Sequence, residues 1–205
     1  LIETVRGKDA EATRLLLGSG VDPDARQADG ATALHWAVYQ EDVDIVEALV
    51  QVNADVNIVN RLGASPLYLA AKTGNAKLIG ILLSADADPN VKLPSGETPL
   101  MSAARSGSVD GVSNLIAAGA DVNARENSRD QTALMWAAAQ NHVDVVKVLI
   151  KAGANLEAKS KVRPRLMYSE SSNGAAFDRG VMEELGGYSA FLFAAARGNV
   201  ESWKL

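Results

Sequence analysis

One four-residue phrase recurs along the chain at a nearly fixed spacing. It reads Thr32-Ala33-Leu34-His35, Ser65-Pro66-Leu67-Tyr68, Thr98-Pro99-Leu100-Met101, Thr132-Ala133-Leu134-Met135 and Ser189-Ala190-Phe191-Leu192. The third letters are 33 residues apart (34 to 67, 67 to 100), then 34 (100 to 134), then 57 (134 to 191). The last step is one period of 33 plus 24 inserted residues. A period of this size marks a solenoid, in which each unit buries its apolar face only against its neighbours. A second phrase keeps step with the first: Gly20-Val21-Asp22, Asn53-Ala54-Asp55, Asp86-Ala87-Asp88, Gly119-Ala120-Asp121 and Gly153-Ala154-Asn155. Its leading position is always Gly, Asn or Asp, the residues that accept the left-handed backbone needed just past a helix end.

Within each period the residues spell two short helices. Thr98 is an N-cap and Pro99 a first helical residue, followed by the small pair Ala103-Ala104. Equivalent pairs occur at Ala70-Ala71, Ala137-Ala138 and Ala194-Ala195, which lets neighbouring first helices approach closely. Second helices carry apolar residues at helical spacing: Val43, Val46, Leu49 and Val50, then Leu78, Ile79, Leu82 and Leu83, then Val143, Val146, Leu149 and Ile150. Connections such as Asp29-Gly30, Leu62-Gly63 and Ser95-Gly96 have β-turn composition. In the fourth connection Asp130 replaces the glycine after one extra residue, so an irregular turn is expected there.

The T-P-L-H-x-A phrase at period 33 resembles the ankyrin repeat, over nearly the whole chain. The resemblance implies an all-α solenoid of stacked helix-turn-helix units with projecting β-hairpin loops. The expected organisation is a single ankyrin repeat domain over 1-205, with units at about 1-26 (partial), 27-59, 60-92, 93-126, 127-158 and 187-205 (partial), and an inserted loop at 159-186. Leu1 aligns with Leu34 and Val200–Leu205 with the start of a second helix, so the parent protein is expected to continue beyond Leu205. Unit one, with Thr4, Thr13 and Ala12 at core positions, reads as a capping repeat. Thr132 to Gln140 also resembles repeats of large bacterial ankyrin proteins, many of them exported. With no cysteine to mark a redox compartment, exported and cytoplasmic locations both remain open.

The insert carries Lys159, Lys161, Arg163 and Arg165, then a Ser/Asn/Gly stretch from Ser169 to Gly174. Val181 to Leu185 has the length of a turn of helix. Two readings stand: a basic flap beside the binding face, contacting hairpins through Leu166, Met167 and Tyr168, or a solvated loop.

Little points to chemistry. Zero cysteines exclude disulfides, thiolate metal sites and a Cys nucleophile. The two histidines, His35 and His142, lie about three repeats apart, too far to share a metal. The resemblance implies a structural role for His35 between repeats. Asp22, Asp55, Asp88 and Asp121 recur with the period and read as turn residues, and no phosphate-binding glycine motif occurs. No cofactor, metal or catalytic residue is assigned. The net charge of −5 disfavours nucleic acid, and no apolar run is long enough for membrane insertion.

The resemblance places partner binding on the concave face, made of hairpin tips and the open side of the first helices. Counted from each anchor, the candidate partner-binding residues are Tyr39, Gln40, Arg61, Leu62, Lys72, Arg105, Arg129, Gln140, Tyr188 and Arg197, a more basic set than the whole chain. Trp36, Trp136 and Phe193 share one position, two after the anchor, and read as packing between first helices, with ligand contact the rival reading. The expected function is a non-catalytic, monomeric module that binds a protein partner. The alternative is a targeting or regulatory domain of a larger enzyme or membrane-associated protein.

Overall fold

A computed structural model of the chain describes residues 1–167 and 181–196. Tyr168, the Ser169–Gly174 stretch, Arg197 and the Val200–Leu205 segment lie outside them. Ten helices form five pairs: α1 (Ile2–Arg6) with α2 (Ala10–Gly18), α3 (Ala33–Tyr39) with α4 (Val43–Gln51), α5 (Pro66–Thr73) with α6 (Ala76–Ser84), α7 (Pro99–Ser106) with α8 (Val109–Ala117), and α9 (Ala133–Ala139) with α10 (Val143–Lys151). Strands β1 (Arg163–Met167) and β2 (Val181–Leu185) follow, then α11 (Ala190–Ala196). From one unit to the next the main helix contacts run first on first and second on second, giving two layers, and within each unit the first helix packs on the second.

The anchors explain why each first helix begins where it does. Ser65, Thr98 and Thr132 each accept the amide three residues on, from Tyr68, Met101 and Met135. Anchors Leu34, Leu67, Leu100 and Leu134 are buried, as are Ala70, Ala71, Ala103 and Ala104. The second layer contributes Ile45, Leu49, Leu78, Ile79, Leu82, Leu115 and Leu149 to the same continuous core. First helices touch from unit to unit more extensively than second helices do, which their buried alanine pairs permit, and the side they share with the hairpin tips is the inner face. In unit one, Thr13 is buried at a core position and made compatible by its hydroxyl, which bonds Asp9 O and Thr4 Oγ1.

A polar ladder fastens the units at their turns. Asp24, Asn57, Asn90 and Asn123 each accept an amide from the next unit: Asp55 (2.9 Å), Asp88 (2.8 Å), Asp121 (2.8 Å) and Asn155 (2.7 Å). Asp22, Asp55, Asp88 and Asp121 accept from the residue two further on, the turn role their periodicity indicated. Asn53 and Asp86 take the left-handed backbone with φ of 60° and 63°, as Gly20, Gly119 and Gly153 do in their places.

Every hairpin is closed by the same pair of main-chain bonds. In the second, Asn60 N donates to Ala64 O and Gly63 N to Asn60 O; in the third, Leu93 N donates to Glu97 O and Gly96 N to Leu93 O. The fourth is irregular as expected. Asp130 holds the left-handed turn (φ 53°), and the buried Glu126 carboxylate collects the amides of Ser128, Arg129 and Gln131.

In the fifth hairpin the insert leaves from the tip. Ser160 N donates to Tyr188 O and Gly187 N to Ser160 O, so the stem closes as in the others. From there the pairing continues outward in one register, Arg163 opposite Leu185 through Met167 opposite Val181, antiparallel. The expectation of a helical turn at Val181–Leu185 is therefore corrected: the segment is a strand. Five isolated residues cannot meet the cost of helix nucleation, whereas a fixed stem hands both arms of the insert a paired register.

Candidate functional site

Inner-face side chains follow a rule that spans two units. The residue five after one anchor lies beside the residue two after the next anchor. Arg6 thus sits over the Trp36 ring, 4.9 Å from guanidinium carbon to centroid, and Arg105 over Trp136 at 4.8 Å. Each indole is also fixed at its polar edge: Trp36 Nε1 donates to Gln27 Oε1 (2.9 Å) and Trp136 Nε1 to Gln131 Oε1 (3.0 Å). The tryptophans are half-buried, packed between first helices and open on the inner face at once. Phe193, the third member, meets Tyr188 edge to face at 5.7 Å.

Four predicted positions converge. Arg105, Arg129, Gln140 and Tyr188 line one cleft of about 570 Å³, floored by Met135, Trp136 and Phe193 and walled by Glu97 and Glu126. The remaining candidates stand apart. Tyr39 is exposed and packs edge-on against Trp36 at 5.9 Å. Gln40 Nε2 donates to Arg6 O (3.0 Å). Arg61 and Leu62 occupy the second hairpin tip, where the Arg61 amide donates to Asp29 O, and Lys72 is exposed on α5. Arg197 lies outside the described residues.

Both cleft carboxylates are already engaged. Glu97 Oε1 accepts the Tyr68 hydroxyl (2.9 Å) and the Ser102 hydroxyl (2.7 Å), and lies 3.5 Å from Arg105 Nη2. Burial raises the Tyr68 phenol above its ordinary range, and the adjoining Glu97 charge adds to the rise. Burial alone would raise Glu126, but its hydrogen bonds from Ser128, Gln131 and Arg129 outweigh this and hold the carboxyl below its ordinary value. Such a site orders charge and presents an aromatic floor. No group of three or more metal-ligating side chains exists among the described residues.

The histidines serve the scaffold. His35 Nδ1 accepts the Thr32 amide (3.2 Å), and Nε2 lies 3.0 Å from Ala64 O in the next unit. Burial lowers its pKa below 6.5, consistent with a neutral ring that donates from Nε2. His142 Nε2 lies 3.0 Å from Arg105 O, steadying the end of α7 beneath the Arg105 side chain.

Sequence reasoning missed Glu126 because a lone carboxylate in a hairpin has no periodic signature. Trp136 and Phe193 read first as packing, with ligand contact the rival, and were left out of the contact set. The available signal was the pairing of Arg6 with Trp36 and Arg105 with Trp136, each 30 or so residues apart, at one fixed pair of repeat positions.

Comparison with known proteins agrees with this architecture. Among curated relatives, the palmitoyltransferase AKR1 of Eremothecium gossypii is 44% identical over 48 residues, 23% of this chain and 7% of that protein. A viral chain named for its ankyrin repeats, L92 of Acanthamoeba polyphaga mimivirus, is 37% identical over 52 residues, 25% of this chain and 13% of that one. The chain thus spans a small part of each relative's length. No helix among the described residues is long and apolar enough to cross a membrane. The family model for ankyrin repeats, three copies long, matches residues 1–93 and again 78–160, and with its anchors, turns and two helical layers in place the chain belongs to the ankyrin repeat family.

Proposed function

We propose that this chain is a non-catalytic, monomeric module that binds a protein partner on its concave face, with Tyr39, Gln40, Arg61, Leu62, Lys72, Arg105, Arg129, Gln140, Tyr188 and Arg197 as the contact set. The observation that carries the reading is the cleft between units four, five and six. There a half-buried tryptophan, a second aromatic and two arginines share one preformed surface. Tyr, Trp and Arg are the residue types that dominate interface energetics, and a surface fixed by stacking and hydrogen bonds avoids ordering cost on binding. The expectation of bacterial origin belongs to this proposal; the relatives described above are fungal and viral.

A photo-crosslinking residue placed at Gln140 in the full chain, and separately at Lys147 on the outer layer, tests the face. Adducts with one protein from Gln140 and none from Lys147 are expected in extract of the source organism. Adducts from Lys147 alone would overturn it.

A second reading has a specific observation behind it. A palmitoyltransferase carries a segment like this one over a small share of its length. The chain would then be the targeting or regulatory part of a larger enzyme or membrane-associated protein. The complete open reading frame decides between the two.

A further inference from the structure

The inner face and the whole chain differ in sign. The chain carries 25 acidic against 20 basic residues. Its periodic carboxylates are committed to turns and helix caps: Asp22, Asp55, Asp88 and Asp121 accept nearby amides, and Asp9 and Asp42 cap second helices. On the inner face Glu97 is held by Tyr68, Ser102 and Arg105, and Glu126 by its own hairpin. The cations there are not matched in the same way. Arg61, Lys72 and Arg129 are exposed, and none makes an ion pair among the described residues, whose four pairs involve Arg6, Lys77, Arg105 and Lys147. Arg129 stands at the cleft itself, with its backbone already fixed: its amide bonds Glu126 and its carbonyl accepts the Lys161 amide.

From this we infer that the partner is an acidic polypeptide segment, which seats a large apolar or aromatic side chain on Trp136 and Phe193 and sets carboxylates against Arg129 at the cleft and Lys72 and Arg61 beyond it. The inference rests on the concave-face reading above and deepens it. Complementary charge supplies register and rate of encounter, while the desolvated aromatic floor supplies most of the affinity. A nucleic acid fits less well. Its phosphates would run along walls that carry Glu97 and Glu126, on a chain of net charge −5. A peptide can place its charges at the rim and its apolar residue between them.

The test is selection of a random 12-residue peptide display library on the full 205-residue chain, followed by titration of the enriched peptides. Enriched peptides are expected to be acidic around a Trp, Phe or Leu. Arg129→Ala should weaken them about tenfold, or about 1.4 kcal/mol, with a smaller loss for Lys72→Ala and none for Lys147→Ala. Because the Arg129 side chain takes no part in closing its hairpin, the melting temperature should hold, and Arg129→Gln provides a second, milder variant. Neutral or basic peptides that remain sensitive to Arg129→Ala would overturn the acidic partner and leave the face standing. Acidic peptides indifferent to both variants would overturn the face as well. Failure to enrich any peptide would show that the cleft does not capture a short segment. Binding of a 20-nucleotide oligo(dT) as tight as that of the peptides would overturn the polypeptide in favour of nucleic acid.

Discussion

The second and fifth hairpins are the same structure at the base and different structures at the tip. Asn60 and Ser160 make equivalent stem bonds, to Ala64 and Tyr188, and Gly63 and Gly187 turn the chain at equivalent places. Each also receives a tie from the preceding tip, Arg61 N to Asp29 O and Lys161 N to Arg129 O. Between Asn60 and Gly63 lie two residues; between Ser160 and Gly187 lie 26, beginning and ending as a paired ribbon. The stack therefore constrains the stem and leaves the tip free. An ankyrin chain can lengthen a tip without disturbing the helices on either side, because the stem absorbs no change. What differs is support. The second hairpin is packed between neighbours, whereas Phe191, the anchor of the unit after the fifth, is half exposed where Leu34, Leu67, Leu100 and Leu134 are buried.

The largest effect expected from this contrast is in the core of the regular part. Leu82 is fully buried in the second layer, so Leu82→Ala should cost about 2–5 kcal/mol through lost transfer energy and the cavity left behind. Lys72→Ala, on the open face, should stay within about 0.5 kcal/mol. Chemical denaturation of both variants checks the layer assignment. Equal midpoints would mean that inner and outer sides have been exchanged.

Turn glycines test the contrast in support directly. Gly96 and Gly187 both hold positive φ, 81° and 67°, so an alanine at either costs about 1–2 kcal/mol of backbone strain. At Gly96 the new Cβ would also lie 2.9 Å from Asn127 N and still closer to the Asn127 side chain; at Gly187 its nearest neighbour is Val162 Cγ2 at 3.5 Å. Gly96→Ala should therefore lower stability more than Gly187→Ala. A reversed order would show that the fifth stem is the more tightly packed.

Acid should act on the joint between units two and three before it reaches the fourth hairpin. Burial lowers the His35 pKa, so the unfolded chain binds more protons than the folded one below about 6.5. Stability is complete above that value and falls as pH drops from it through the depressed folded value. Glu126 is also depressed, from 4.5, so its contribution is complete above 4.5 and is lost only as pH falls from there through its lower folded value. Denaturation midpoints between pH 7.5 and 5.5 should fall for the natural chain and flatten for His35→Gln. An unchanged slope in the variant would assign the acid response elsewhere.

How much of this was readable beforehand follows from what repeats. Anchors, caps, left-handed turns and layer assignment were legible because each recurs five times and carries its own stereochemistry. The irregular fourth hairpin was legible from Asp130 standing in a glycine's place. The Val181–Leu185 strand was not, because its state is set by the stem at Ser160 and Tyr188 rather than by its own five residues. Four of the ten candidate contact residues share the cleft, since counting from the anchor fixes a helix face. Counting within one unit could not show that Arg105 belongs over Trp136, a relation between units. Glu126 escaped because its neighbours in the pattern are Gln27, Asn60 and Leu93, which share a place without sharing a charge.

The smallest expected effect is the most direct trial of the free tip. Deleting residues 162–185 joins Lys161 to Gly186 and leaves two residues between Ser160 and Gly187, the spacing of the second hairpin. The ties that matter to the stack survive: Ser160 N to Tyr188 O, Gly187 N to Ser160 O and Lys161 N to Arg129 O. Closing a long connection costs entropy that grows slowly, about 0.6 kcal/mol for each doubling, so a shorter tip should couple the last unit more firmly to its neighbour. In a solenoid that gain is local, because each unit feels only adjacent interfaces. The global midpoint should scarcely move. Hydrogen exchange of residues 187–196 should slow, while units two to four remain the most protected, as central units keep both interfaces. Faster exchange of 187–196 in the shortened chain would mean that the insert supports the last unit by packing on it. The tip would then be part of the fold, and the equivalence of the two hairpins would end at the stem.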